Sequence, residues 1–347
     1  MGMGLFGRSK NTVGLDVGSG FVKLVEVDHS GDQPEVVRIA MRALLPDAIV
    51  EGEIMDPGLV ADTIRDLWGE SGIRSRDVVT AVGGHDVIVK KISMDRMKEA
   101  DAREVIRWEA EQHVPFDIKS VVLDFQILDP DEDGLQMEVL LVAAKRELVD
   151  NTVSLMQEAT LSPVLIDVDA FALHNALERN HPEAMTGVVA LVNVGHEMTS
   201  VNIMEDGVPT LTRDIPFGTR RIREDLQREQ GLTAEGAEAV LQGRENHPQF
   251  LRYVQAGADE VAMGVERAAA FLMAQQMGES LGSVYLSGGA ARIRGLPEAL
   301  AERLSAEVRL VNPFQRIPVA PDAFQSPDLE EAGVMLLLPL GLALRKP

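Results

Sequence analysis

One short pattern occurs twice in this chain. VGLDVGSGFVKLVEV fills residues 13–27, and VALVNVGHEMTSVNI returns at residues 189–203. Each copy is an apolar strand, then an acid or amide (Asp16, Asn193), one further residue and a glycine (Gly18, Gly195). Small polar or charged residues follow, and then a second β-rich apolar run. A strand that turns tightly on glycine and returns as its own neighbour exposes backbone N–H groups in the turn. Such a nest binds anions, most commonly phosphate. Two of them, about half a chain apart, predict two similar domains gripping one nucleotide from opposite sides.

Length agrees with that expectation, because 347 residues exceed what a single small core organises. A net charge of −22 argues against sequence-independent binding of nucleic acid, which needs cations facing phosphates. It equally disfavours broad docking on an anionic membrane; Arg8 and Lys10 form the one small basic spot near the start. With no cysteine in the chain, thiolate nucleophiles, disulfides and cysteine metal sites are excluded. The seven histidines are scattered, and His196-Glu197 lacks the second histidine of a zinc-protease helix. The amino terminus carries no apolar stretch of signal-peptide length. The most apolar run, residues 334–344, is roughly half of what a bilayer crossing requires. A cytoplasmic protein is expected, with that run as a buried terminal helix.

The intervening segments supply the remaining elements. Residues 36–45 continue as a third strand, and residues 57–70 read as a helix stopped by Gly72. Residues 78–82 are then a strand, followed by Gly83-Gly84. This β-β-β-α-β order is that of an RNase-H-like unit. Residues 85–158 differ in character and read as a small α+β insertion: a helix over 99–113 and strands over 121–128 and 137–143. Its acidic turn, Asp129 to Asp133, lacks the ligand alternation and closing glutamate of a calcium loop. A helix over 147–159 and a strand over 164–168 follow. The second unit begins near Gly187, with a hairpin turn at Asp206-Gly207. Helices are expected over 219–230, from the Thr233 cap to Leu241, and over a long amphipathic stretch ending by Gly278. Residues 284–287 form a strand, Gly288-Gly289 a tight loop, and residues 296–304 a helix opened by Pro297. The predicted domains are 1–185, with the insertion at about 85–158, and 186–347, with a helical insertion at about 219–279.

The strongest candidate site is Asp16, Gly18, Ser19, Gly20 and Lys23. The two glycines let backbone approach a phosphate chain. Ser19 can donate a hydroxyl, Lys23 brings a point charge, and Asp16 can hold magnesium through water. Asn193, Gly195 and Thr199, with Ser200 beside them, would form the facing turn. Gly288 and Gly289 would let a flat adenosine lie against backbone, and Arg292 stands near enough in sequence to touch base or phosphate. Taken singly, each of these stretches also fits an ordinary glycine-rich connection.

The order DVGSGFVK, NVGHEMTS, YLSGGAARIRGL resembles the phosphate-1, phosphate-2 and adenosine motifs of actin-like ATPases. VIRWEAEQHVPFDIKSVVLDFQIL (105–128), VLIDVDAFALHNAL (164–177) and LPLGLALR (338–345) are similar to the type IV pilus assembly family PilM, itself related to the cell-division protein FtsA. The resemblance covers nearly the whole chain. It implies an actin-like ATPase fold: two RNase-H-like domains around a nucleotide cleft that takes ATP and Mg2+, with an α+β subdomain inserted in the first. It also implies a partner, since in this family a groove by the inserted subdomain takes the amino-terminal cytoplasmic tail of the inner-membrane protein PilN. Other pilus inner-membrane proteins would join that complex, and membrane contact would run only through the partner. Self-association is left open.

The chain departs from the family pattern in three places. Asn193 replaces the usual aspartate and brings no charge to magnesium, so no catalytic residue is assigned. Gly218-Thr219 stands where a glycine pair is expected. In GAEAVLQG, Leu241 replaces the expected lysine, while Glu238 remains as a ribose ligand. These departures weaken the case for turnover more than for binding. The leading expectation is therefore an ATP-binding scaffold with weak or absent ATPase activity that serves pilus assembly or motility. The alternatives are an FtsA-like membrane-associated filament protein and a small-molecule kinase of the same superfamily.

Overall fold

The computed structural model describes residues 11–129, 134–276, 280–324 and 329–346. Arg8, Lys10, most of the Asp129-to-Asp133 turn and the Gly278 helix stop lie outside the described residues. Strands β1 (Asn11–Val17), β2 (Phe21–Asp28) and β3 (Glu35–Ala43) lead to a small hairpin, β4 (Ile49–Val50) with β5 (Glu53–Ile54). Helix α1 (Pro57–Ser71) is capped by the Asp56 carboxylate, which accepts from Leu59 N, and Gly72 ends it at φ 69°. Strand β6 (Asp77–Val82) follows, then β7 (Val87–Asp95), α2 (Glu99–Ala110), β8 (Val121–Ile127) and β9 (Gln136–Lys145). Next come α3 (Arg146–Glu158), β10 (Ser162–Val168) and α4 (Asp169–Asn180).

Strands β11 (Val188–Val194), β12 (Thr199–Glu205) and β13 (Val208–Ile215) open the second half. The Asp206-Gly207 turn has φ 47° and 76°, positive at both central residues as a type I′ hairpin requires. The helices α5 (Thr219–Gln230), α6 (Ala234–Leu241) and α7 (Phe250–Gln276) precede β14 (Ser283–Ser287), α8 (Leu296–Leu304) and β15 (Glu307–Leu310). Helices α9 (Leu329–Gly333) and α10 (Leu337–Ala343) close the chain.

The duplication extends to topology. One sheet has the order β10-β6-β1-β2-β3, and the other begins β15-β14-β11-β12-β13. In both, the central strand pairs antiparallel with the next strand in sequence and parallel with a later one. The alternation of β11 explains its continuous burial. Ala190, Val192 and Val194 enter the core under α7 and α8, while Val189 and Leu191 point to the opposite face. That opposite face is a core shared by both halves. Val25 and Val79 of the first sheet and Leu191 and Tyr285 of the second close on α4 and α10 between them.

Three placements show how the two halves and the inserted segment are joined. Helix α3 is not part of the inserted unit, because Leu155 and Met156 pack with α1, β1 and β2 in the first core. The insertion also reaches the second half. Its strand β7 pairs antiparallel with β13 at Leu211↔Lys90, so β7, β9 and β8 extend the second sheet. The closing helix α10 crosses back from the second half and seats on β1, β2, β6 and α4 of the first. Two glycines permit that seat: a Cβ on Gly14 would lie 2.1 Å from Pro339 O, and one on Gly341 would lie 1.8 Å from Ala172 O. The terminal apolar run is accordingly buried throughout α10. Among the described residues, no helix is long and apolar enough to cross a membrane.

Candidate functional site

The two copies of the opening pattern fold alike. Gly18 N donates to Phe21 O at 3.1 Å, and Gly195 N donates to Met198 O at 2.9 Å, closing equivalent turns. Strand register sets Asp16 opposite Lys23 in the first hairpin and Asn193 opposite Ser200 in the second. The turn tips meet across an open cleft of about 1070 Å³. A Cβ on Gly20 would come within 3.0 Å of the His196 ring and its Cβ, and one on Gly195 within 2.8 Å of Met198 O. A side chain at Gly20 would crowd His196 across the cleft, and one at Gly195 would clash within its own turn. The backbone amides of Ser19, Gly20, His196 and Glu197 find no protein acceptor among the described residues, so both turns present donors suited to an anion.

Ten of the sequence-predicted residues line this cleft: Asp16, Gly18, Ser19, Gly20, Lys23, Asn193, Gly195, Glu238, Gly289 and Arg292. Two do not. Thr199 is fully buried, and its hydroxyl donates to Phe217 O at 2.7 Å, so it holds the strand end and Ser200 faces the cleft instead. Gly288 lies behind the second turn at φ 93°, where a Cβ would sit 2.4 Å from Val194 O. Its job is to let β14 pass close to β11. The Leu241 side, with Val240, Ile293, Val334 and Met335, gives the second half of the cleft an apolar wall.

The floor is acidic. Lys23 Nζ sits 2.5 Å from Asp16 Oδ2, leaving Oδ1 on the side of the Gly18 turn. Asp169, the first residue of α4, presses so closely on Gly83 that a Cβ there would meet its carboxylate at 2.2 Å. Burial, with Asp16 and Asp214 adding negative charge, pushes the Asp169 carboxyl up to about 7, against the pull of Lys23. Asp214, at the end of β13, is raised by burial as well. Asp167 lies behind, also raised by burial, with Arg345 Nε 3.0 Å away to oppose it. Sequence reading missed Asp169 and Asp214. The spaced acids in LIDVDAF and the DIPFG segment were visible, but nothing in the spacing said they would converge.

His196 sits at the second turn with its Nδ1 2.7 Å from Thr219 Oγ1. Burial, then Arg223 and Arg220, bring its imidazole down to about 4, so the ring is neutral at physiological pH. Arg220 closes the mouth of the cleft. It pairs with Glu197 and, at 2.6 Å, with Glu224 on its own side, and reaches Asp47 of the opposite half at 2.9 Å. Glu197 Oε2 in turn accepts from Glu51 N at 2.8 Å. Asp47 and Glu51 both adopt left-handed backbone, with φ of 64° and 51°, so this cross-cleft contact draws on an unfavourable local conformation.

These residues fit a magnesium nucleotide in a specific way. No group of three acidic or histidine side chains among the described residues could hold a metal ion alone. Magnesium keeps several waters and is commonly bound by one or two carboxylates plus substrate phosphates. Asp16, with Asp169 and Asp214 nearby, suits an ion that arrives on a phosphate chain. Asn193 Oδ1 accepts from the Ser287 hydroxyl at 3.1 Å, which leaves its amide N–H donors for a ligand.

Comparison with known proteins agrees with this architecture. The model of the family described as type IV pilus assembly protein PilM matches residues 14–347. A solved PilM–PilN type IV pilus biogenesis complex superposes with a TM-score of 0.85 at 32% identity, covering 97% of this chain and 99% of that one. MreB 5 of Spiroplasma citri bound to AMPPNP shares the fold at a TM-score of 0.53 and 11% identity, over 96% of this chain and 95% of its own. The cell division protein FtsA of Bacillus subtilis (strain 168) is 20% identical over 87% of this chain and 78% of its own length.

Proposed function

Because the chain belongs to the type IV pilus assembly protein PilM family, we propose that it is an ATP-binding scaffold that holds the amino-terminal cytoplasmic tail of a PilN protein. The observation carrying this reading is the match, over nearly the full length of both chains, to the PilM of a solved PilM–PilN complex. An extended tail docking in a groove is a familiar recognition mode. It would bring the chain to the inner membrane through its partner, in keeping with a net charge of −22 that disfavours direct docking on anionic lipid.

ATP is the ligand that sets the two halves in one arrangement. The amides of both turns and Lys23 would bind its phosphates, Asp16 would hold Mg2+ through water, and Gly289 would lie beside the adenosine. The metal supplies charge neutralisation along the phosphate chain. Asn193 offers hydrogen bonds without negative charge, which favours holding the nucleotide over cleaving it. A filament or a small-molecule kinase has no observation in its favour that this reading lacks.

Co-elution tests the proposal. The chain should migrate with a PilN protein from the same organism that carries its cytoplasmic tail, and should separate from the same protein with the tail deleted. Equal behaviour of the two PilN forms would sink it.

A further inference from the structure

Helix α5 is dense with arginine, and nearly all of that charge is spent within the protein. Arg220 is held by Asp47, Glu197 and Glu224, Arg221 by Asp225, and Arg228 by Asp225 and Glu229. Arg223 differs. It has no carboxylate partner among the described residues, it is only partly exposed, and it lines the cleft. Burying a guanidinium beside a cavity without a counter-ion is costly, so such a group is expected to meet an anion.

Its direction is set by the helix. Thr219 and Arg223 are four residues apart, hence on one face of α5, and both line the cleft. The first turn of α5 is tied to the second glycine turn, since Thr219 N donates to Gly195 O at 3.2 Å and Arg220 N to His196 O at 2.8 Å. Arg223 therefore sits one helical turn behind His196. Its charge is the largest electrostatic influence on that ring, ahead of Arg220 and Glu238. Across the gap, Gly20 of the first turn faces the same imidazole, and a Cβ there would come 3.0 Å from its Cγ. Lys23, the cation on that first side, already has Asp16 at 2.5 Å.

We infer that Arg223 is the second half's phosphate-binding cation: it contacts the phosphate chain of a nucleoside polyphosphate lying between the Gly20 and His196 turns, opposite Lys23. This rests on the nucleotide reading above and adds a ligand that the sequence motifs did not include. Neutral His196 complements it, donating or accepting one hydrogen bond without competing for charge. Arg223 also joins the ligand to α5, the helix whose Arg220 spans the cleft mouth.

Calorimetric titration of Mg-ATP into wild type, Arg223→Gln, Arg223→Met and the control Arg228→Gln tests the assignment, with melting curves run in parallel. Both Arg223 variants should bind about tenfold more weakly, the loss expected for one charge-assisted hydrogen bond. Their affinity should also fall less steeply with added salt. Arg228→Gln should match wild type. If Arg223→Gln melts early, Arg223→Met, which keeps an apolar stem, decides. Wild-type affinity and salt dependence in a folded Arg223 variant would overturn the assignment and leave the nucleotide reading intact. Wild type that takes up no Mg-ATP would overturn the nucleotide reading itself.

Discussion

Asp169 shows how much of this cleft depends on one side chain's surroundings. As the first residue of α4 it is an ordinary N-terminal acid, which a helix start favours. Burial beside Asp16 and Asp214 nevertheless pushes its carboxyl up to about 7. The folded state therefore keeps a proton that the unfolded chain gives up near pH 4. Between those limits the native state binds more protons, so this group lowers stability as pH rises from about 4 to about 7 and costs its full amount above that. Asp169→Asn should raise stability at pH 8 by up to about 4 kcal/mol, seen as a higher melting temperature, and leave it nearly unchanged at pH 4. Thermal melts across that range check it; equal gains at both ends would mean the effect is not titration. His196 works in the other direction, because a ring brought down to about 4 adds stability that is lost as pH falls from about 6.5. The substitution at Asp169 separates the two.

At the scale of elements, α10 is the least expected piece. It closes the sequence after the second half yet lies in the core shared with the first, between β1 and α4. Leu338 and Leu342 also line the cleft, so the helix touches both the ligand space and the first sheet. Its fit depends on backbone meeting backbone at Gly14 and Gly341. Gly341→Ala should lower stability by about 2 kcal/mol or more, as overpacking does when the clash is with a main-chain carbonyl, and should weaken ATP binding in step. A melting temperature equal to wild type would show that α10 is seated otherwise.

Local elements were legible because their signals are local. Periodicity and caps gave α5, α6 and α8 with the ends observed, and Asp206-Gly207 gave its hairpin. What escaped was decided by contacts distant in sequence. The two-residue strands β4 and β5 carry too little pattern to read. The affiliation of α3 with the first core and the joining of β7 to β13 depend on tertiary neighbours. The site divides in the same way. Glycine turns announce themselves by composition, whereas Asp214, His196 and Arg223 become cleft residues only once β13 and α5 fold against the second turn.

Over the whole molecule, two equivalent sheets face one cleft, share a core through α4 and α10, and are bridged at the mouth by Arg220. The insertion continues the second sheet while its chain enters and leaves through the first half. Any change in the angle between the halves would therefore strain the insertion at both attachments. A nucleotide that prefers one angle would in that way alter the surface proposed to hold the tail, and only to the extent that it binds the two arrangements differently. The most direct test is calorimetric titration of a synthetic PilN amino-terminal peptide into the full chain, without nucleotide, with Mg-ATP and with a non-hydrolysable analogue. The account predicts binding in all three conditions, with an affinity that both nucleotides shift equally and by about fivefold or more. No binding in any condition, or one affinity throughout, would contradict it.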